Sequence, residues 1–341
     1  MAGTIQARAD YRSKFGAYRY RVEVIDGDGA TENIRDYEIT PEGITLEYEG
    51  DQENAYQNIV PSTGTFTLVC TTQAQVTFLR TIAESASGQY GVRVRRANTT
   101  STPVTIYWVG TIVADQLNFS DALPQAVTVV ATDDLGYLED KPYLQADGSR
   151  YTGSATITQH LLNCLGKLRY ASWYYDDFFT FGGVDYYPTA LSLGKNLLPN
   201  NYVSASGTVD LYDETTLTHT GFYSEDPESG GAKSTYYVLE EILKHFNAQA
   251  SFGFMSTGHT LNVTPTGAMI KYAIDGTALA GFKYRFDGAL GATSPDIFGT
   301  LAIDNDANNK PRLTGGQFSY AQPYNKVTRE AKWFATQADV Q

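Results

Sequence analysis

The sequence predicts a mainly β, α+β protein: antiparallel sheets or barrels carrying a few helices, with a mixed region between two β-rich parts. Three observations lead there. Apolar and polar residues alternate with period two in short runs through the first 140 residues. Aromatics make up 13% of the chain, with 25 Tyr and 16 Phe, and these suit half-buried pleated surfaces. Glycine, at 31 residues, supplies turns and bulges.

The runs follow in order. AYRYRVEVID (17–26) sets Tyr18, Tyr20, Val22 and Val24 against charged residues, and GDG turns the chain. ENIRDYEIT and GITLEYEG continue in strands, the latter with Ile44, Leu46 and Tyr48 on one face, and STGTFTLVCT is another. The period then changes. In TTQAQVTFLRTIAES (71–85), Val76, Leu79, Ile82 and Ala83 recur at helical spacing behind a Thr71 or Thr72 cap. Strands return in YGVRVRRA, VTIYWVGTIVAD and QAVTVVAT. Arg93 and Arg95 share one face of theirs.

VTIYWVGTIV is apolar on both faces, with Val104, Ile106, Trp108 and Ile112 on one and Tyr107, Val109 and Val113 on the other. Such a strand lies between layers or between subunits. Trp108 and Gly110 are read as structural, with Gly110 marking a bulge or bend. Asp133 and Asp134 follow VTVVAT and precede LGYL. Helix capping is the favoured reading. Catalysis would need a second acid across a cleft or a metal set, and the spacing shows neither.

SATITQHLLNCLGKL (154–168) reads as a helix capped by Ser154, with Ile157, Leu161, Leu165 and Leu168 as its stripe. YASWYYDDFFTFGG (170–183), with Trp173 and Tyr174, reads as a segment packed on the core or on a neighbouring subunit, a carbohydrate platform being the alternative. SEDPESGGAK (224–233) is a polar connector. STYYVLEEILKHFNAQ holds the clearest helix: Ser234 caps it, Val238, Leu239, Ile242, Leu243 and Phe246 form its apolar face, and Glu240 pairs with Lys244. A meander follows. With 341 residues, more than one core is expected. The domains read as 1–140, a first β-barrel; 141–233, a mixed helical and aromatic region; and 234–341, a β-rich unit with a docked helix.

The formal net charge of −13 argues against general nucleic-acid binding, which needs a basic surface. Cys70 and Cys164 sit in apolar stretches and read as two buried thiols. No zinc spacing, HExxH, GxSxG, Walker loop or GxGxxG occurs, and Asp304, Asp306 and Asn308 lack the glycine and distal glutamate of a calcium loop. No catalytic residue, cofactor or metal is therefore expected. No run approaches the roughly 20 apolar residues of a membrane span.

The order ITLEYEGD, the FLRTI helix, YGVRVRR, YWVGTI and VTVVATDDLGYLED, then TYYVLEEILKHFNAQ and LTGGQFSYAQPYNKV, resembles the tail-tip or baseplate hub proteins of tailed phages, especially those of Bacteroidetes-like hosts. There a strand ending in W-x-G precedes one ending in A-T-D-x-L-x-x-L, and a V-L-x-x-I-L-x-x-F helix comes later. The matching stretches cover roughly half the chain. The resemblance implies a structural virion protein of the tail tip, assembled in the host cytoplasm, with tail-tube-like barrels in a homotrimer. Its partners would be the distal tail ring, tape-measure and tip fibre proteins, with genomic DNA only in transit. A hexameric distal-tail or adaptor ring is the alternative, and a carbohydrate-binding or glycan-degrading module the lesser one. An acidic or neutral lumen is expected, with Arg93 and Arg95 turned to a subunit contact or outward, and acidic groups of a neighbour favoured as their partners.

Overall fold

The computed structural model describes residues 3–12, 18–28, 31–49, 57–98, 105–171, 179–181, 184–186, 191–194, 212, 215–223, 231–255, 258–265 and 281–284. Trp173, Tyr174, most of the 224–233 connector, the polar loop at 303–312 and the LTGGQFSYAQPYNKV segment lie outside the described residues. The protein is mainly β, and its principal element is a closed barrel.

Among the described residues seven strands make that barrel: β1 (Thr4–Arg12), β2 (Tyr18–Asp26), β3 (Arg35–Tyr48), β5 (Ser62–Cys70), β6 (Tyr90–Asn98), β7 (Thr105–Ile112) and β8 (Gln125–Thr132). A two-residue strand, β4 (Ile59–Val60), precedes β5 and belongs elsewhere. The order around the wall is β1-β2-β6-β7-β8-β5-β3, and a parallel β3–β1 pairing closes it. Every second residue points inward, and those residues are apolar. Ala7, Ala9, Val22, Val24, Phe66, Leu68, Val92, Val94, Trp108, Val127 and Val129 form one core. The interior is thus filled by side chains. Helix α1 (Gln73–Ala83) adds Val76, Phe78, Leu79 and Ile82 to that core. Its cap is Thr72, which forms a reciprocal capping box with Gln75. β3 joins the two runs expected separately, and the register shift between Ile39 and Ile44 absorbs the residues between them.

Strand β7 is the wall common to both cores. The register shifts between Val94 and Arg95, where Val94 faces Trp108 but Arg95 faces Ile106. The bulged residue is therefore Tyr107, not Gly110. The extra residue breaks period two, so Trp108 and Ile112 enter the barrel core while Ile106 and Val109 enter the second core. Ile106 and Trp108, expected on one face, lie on opposite sides. Of the two places open to a strand buried on both faces, β7 takes the one between layers.

The second core uses β9 (Ser154–Thr156), α2 (Ile157–Leu165), β10 (Phe179–Phe181), β11 (Val184–Tyr186), β12 (Leu191–Gly194), β13 (Thr216–Thr218), α3 (Thr235–His245), β14 (Ala248–Met255), β15 (Gly258–Pro265) and β16 (Gly281–Tyr284). One sheet runs β16-β12-β15-β14-β4, so Ile59 and Val60 from the first part of the chain pair with β14. β9 pairs with β13, and β10 with β11. Ser154 does not cap α2, because Ser154–Thr156 is spent on β9 and the Thr156 side chain accepts from the Gln159 N–H instead. Ser234 caps α3, and Val238, Leu239, Ile242 and Leu243 are buried beside Ile157, Leu161 and Leu165. Cys70 and Cys164 are free and buried, one in each core. Burial raises the Cys70 thiol to about 11 and that of Cys164 further.

Candidate functional site: a buried seam at the end of the barrel

Four of the residues singled out in the sequence, Trp108, Gly110, Asp133 and Asp134, meet where β8 leaves the barrel. Trp108 lies inside, with Phe66 5.8 Å away between ring centroids. Its indole N–H donates to Ser62 Oγ at 3.0 Å. The ring rests on two glycines. A β-carbon on Gly64 would come within 2.8 Å of Phe66 and 3.0 Å of Trp108, and one on Gly110 within 2.8 Å of Trp108 Cζ2 and 2.6 Å of the Thr132 carbonyl. Gly110 thus provides room for the indole and for the β7–β8 contact.

Asp133 is fully buried. One of its carboxylate oxygens accepts from the Ser62 N–H and Oγ–H, both at 2.7 Å. The other accepts from the Leu135 N–H at 3.1 Å. The Asp133 N–H donates to the Ser62 carbonyl at 3.0 Å, and Tyr170 donates its hydroxyl to the Asp133 carbonyl at 3.0 Å. Burial pushes this carboxyl up to about 7, although the Ser62 and Leu135 donors pull the other way.

Asp134 has a left-handed backbone (φ +64°), which an aspartate tolerates better than most side chains. It accepts from Thr111 Oγ1 at 2.7 Å, from the Arg169 backbone N–H at 3.2 Å, and from the Arg169 guanidinium through Nε and Nη2. Arg169 also donates to Ser87 Oγ at 2.9 Å and stacks over Tyr137 at 4.3 Å. The helical-cap expectation is corrected here. The 3-10 turn Gly136–Asp140 starts behind Leu135 and has no side-chain cap. The two carboxylates instead bind β5, β7, β8 and the segment after α2 into one seam. All their oxygens are occupied by donors from the chain itself.

Arg93 and Arg95 point outward from the barrel, and Glu23 on the adjacent strand receives both, at 2.7 and 3.0 Å. The partner carboxylate expected on a neighbouring subunit is thus supplied within the chain. Arg93 is only 5% exposed and Glu23 4%, so this pair is buried in the barrel wall. Burial opposes ionisation of Glu23, but the two guanidinium groups hold it below the usual carboxylate range.

A second polar cluster lies inside the second core. His160 Nε2–H donates to the Leu217 carbonyl at 3.2 Å, leaving Nδ1 to accept the Tyr143 hydroxyl at 2.7 Å. Asn163 donates to the same hydroxyl at 3.2 Å. The His219 ring stands 4.5 Å from that of His160, and its buried Nδ1 has no hydrogen-bond partner among the described residues. Burial lowers His160 to about 4 and His219 in the same direction.

Ser62, Arg169 and Glu23 escaped the sequence reading. Ser62 is 71 positions from Asp133, Arg169 is 35 from Asp134 and Glu23 is 70 from Arg93, so no local pattern announces these pairs. Among the described residues no group of His, Cys, Asp or Glu is placed to hold a metal ion, and no helix is long and apolar enough to cross a membrane. No family model matches the chain, and no curated protein matches it.

Proposed function

We propose that the chain is a structural subunit of a phage tail tip: a baseplate hub that continues the tail tube, joins it to the distal tip and fibre components, and leaves a passage for DNA. One observation carries this reading. The two motifs that resemble the hub family, Trp108-Val109-Gly110 and Ala131-Thr132-Asp133-Asp134-Leu135, meet in one place, where Trp108 and Asp133 share Ser62. The family pattern corresponds to a physical joint between the barrel and the next core. The helix resembling V-L-x-x-I-L-x-x-F buries Val238, Leu239, Ile242 and Leu243 in that same second core. A barrel packed with side chains leaves no duct through itself, so a passage would run between copies. A chain of net charge −13 suits a passage that must not hold phosphate.

Native mass spectrometry with negative-stain imaging of the purified chain tests the proposal. A threefold ring around an open centre is the expected result. A sixfold ring would move the assignment to a distal-tail adaptor, and a chain that forms no ring would overturn both.

A further inference from the structure

The outer wall of β1, β2 and β3 carries charge in three rows. Cross-strand pairing sets them. The first row runs Asp36, Arg8, Glu23, Arg93. The second runs Asp10, Arg21, Arg95, with Glu38 one step beyond the Tyr37–Ala9 pair and so beside Asp10. The third is Arg12 opposite Arg19. Residues 8, 10 and 12 alternate with inward Ala7 and Ala9, so the three rows share one face. Arg8 meets Asp36 at 2.6 Å, and Arg21 grips both oxygens of Asp10 at 2.8 and 3.1 Å. Arg8, Asp10, Arg21, Asp36 and Glu38 line an open cleft of about 460 Å³.

Two places break the neutralising pattern. Glu38 is exposed beside Asp10 and makes no ion pair among the described residues. Arg12 and Arg19 stand directly opposite each other, and neither makes an ion pair among the described residues. Like charges directly opposite on a sheet are destabilising. One wall therefore presents an acidic pole, where Asp36, Glu38 and Asp10 outnumber Arg8 and Arg21 by one charge, and a basic pole (Arg12, Arg19), with the Glu38–Asp10 row roughly 7 Å from the arginine pair by the strand rise.

We propose that this wall is a self-complementary interface whose occupant is the same wall of a second copy. A two-fold axis between the poles lays each arginine pair over the partner's acidic pole and closes at two copies. Charge complementarity selects the occupant, because the same surface carries both signs in reach of each other. The contact is polar, so it is weak and salt-sensitive. It does not rest on the hub reading.

Sedimentation equilibrium of the full chain tests it, using Arg12→Glu/Arg19→Glu, which makes both poles acidic, and Asp36→Arg/Glu38→Arg, which makes both poles basic. Each variant should lose self-pairing by about tenfold or more, as should the natural chain between about 50 and 500 mM salt. An equimolar mixture of the two variants should pair again. If Asp36→Arg lowers the thermal midpoint by freeing Arg8, Glu38→Arg alone takes its place in the mixture. Unchanged pairing in either variant, or no pairing in the mixture, overturns the proposal. The mass that remains in Arg12→Glu/Arg19→Glu reports ring size separately, so failure of the hub reading is seen independently.

Discussion

The Trp108 indole lies over Gly110, two residues along the same strand, and occupies the space a side chain there would need. Gly110→Ala should already cost stability, and Gly110→Val about 1–3 kcal/mol, because neither the ring nor the Thr132 carbonyl has room to withdraw from a packed barrel. Urea midpoints check this. The cost should shrink in a Trp108→Leu background, where the obstructing ring is gone; equal costs in both backgrounds would mean the strain lies elsewhere.

Asp133→Ala should cost about 2–4 kcal/mol, because it leaves the Ser62 and Leu135 N–H groups buried without an acceptor. Asp133 also sets a pH dependence. Its folded value near 7 lies above its ordinary value of 3.8, so the fold binds this proton more tightly than the unfolded chain. The contribution is fully present below about pH 4 and is lost as pH rises through about 7. Asp133→Asn cannot ionise, so the stability gap between natural chain and variant should move against the natural chain over that window. Denaturant titrations at several pH values would show a constant gap if the carboxyl ionises freely.

His160 and His219 act with the opposite sign. Burial holds His160 near 4, below its ordinary 6.5, so the unfolded chain takes up the proton first. Stability from this group is present above about pH 6.5 and is lost as pH falls towards about 4. Acid should loosen the second core before the barrel. Hydrogen exchange at α2 should rise between those values while exchange at β5 and β8 stays slow. His219→Phe, which fills the same space without a titrating ring, should reduce the effect.

Removing the Glu23 carboxylate takes a shared charged acceptor from two guanidinium groups in the barrel wall. Glu23→Ala should cost about 3–5 kcal/mol, far more than loss of an exposed pair such as Arg8–Asp36. Thermal midpoints of Glu23→Ala and Asp36→Ala, measured together, would contradict this by falling equally.

The sequence by itself determined the local elements. Period two marks β2, β5, β6 and β8 because one face of each meets the barrel core, and that alternation needs no knowledge of the partner strand. The caps at Thr72 and Ser234 were legible because a cap bonds only three residues ahead. The β7 bulge was not. Its position follows from the register with β6, and moving it from Gly110 to Tyr107 sent Ile106 and Trp108 to opposite cores. The aspartate pair was visible as a feature of the chain, but its role depended on Ser62, Arg169 and Tyr170, which only the fold brings to it. The same holds for Glu23 under Arg93 and Arg95. Secondary structure is specified over a few residues, whereas the pairing of buried charges depends on contacts between distant segments of the chain and is decided only once the barrel closes.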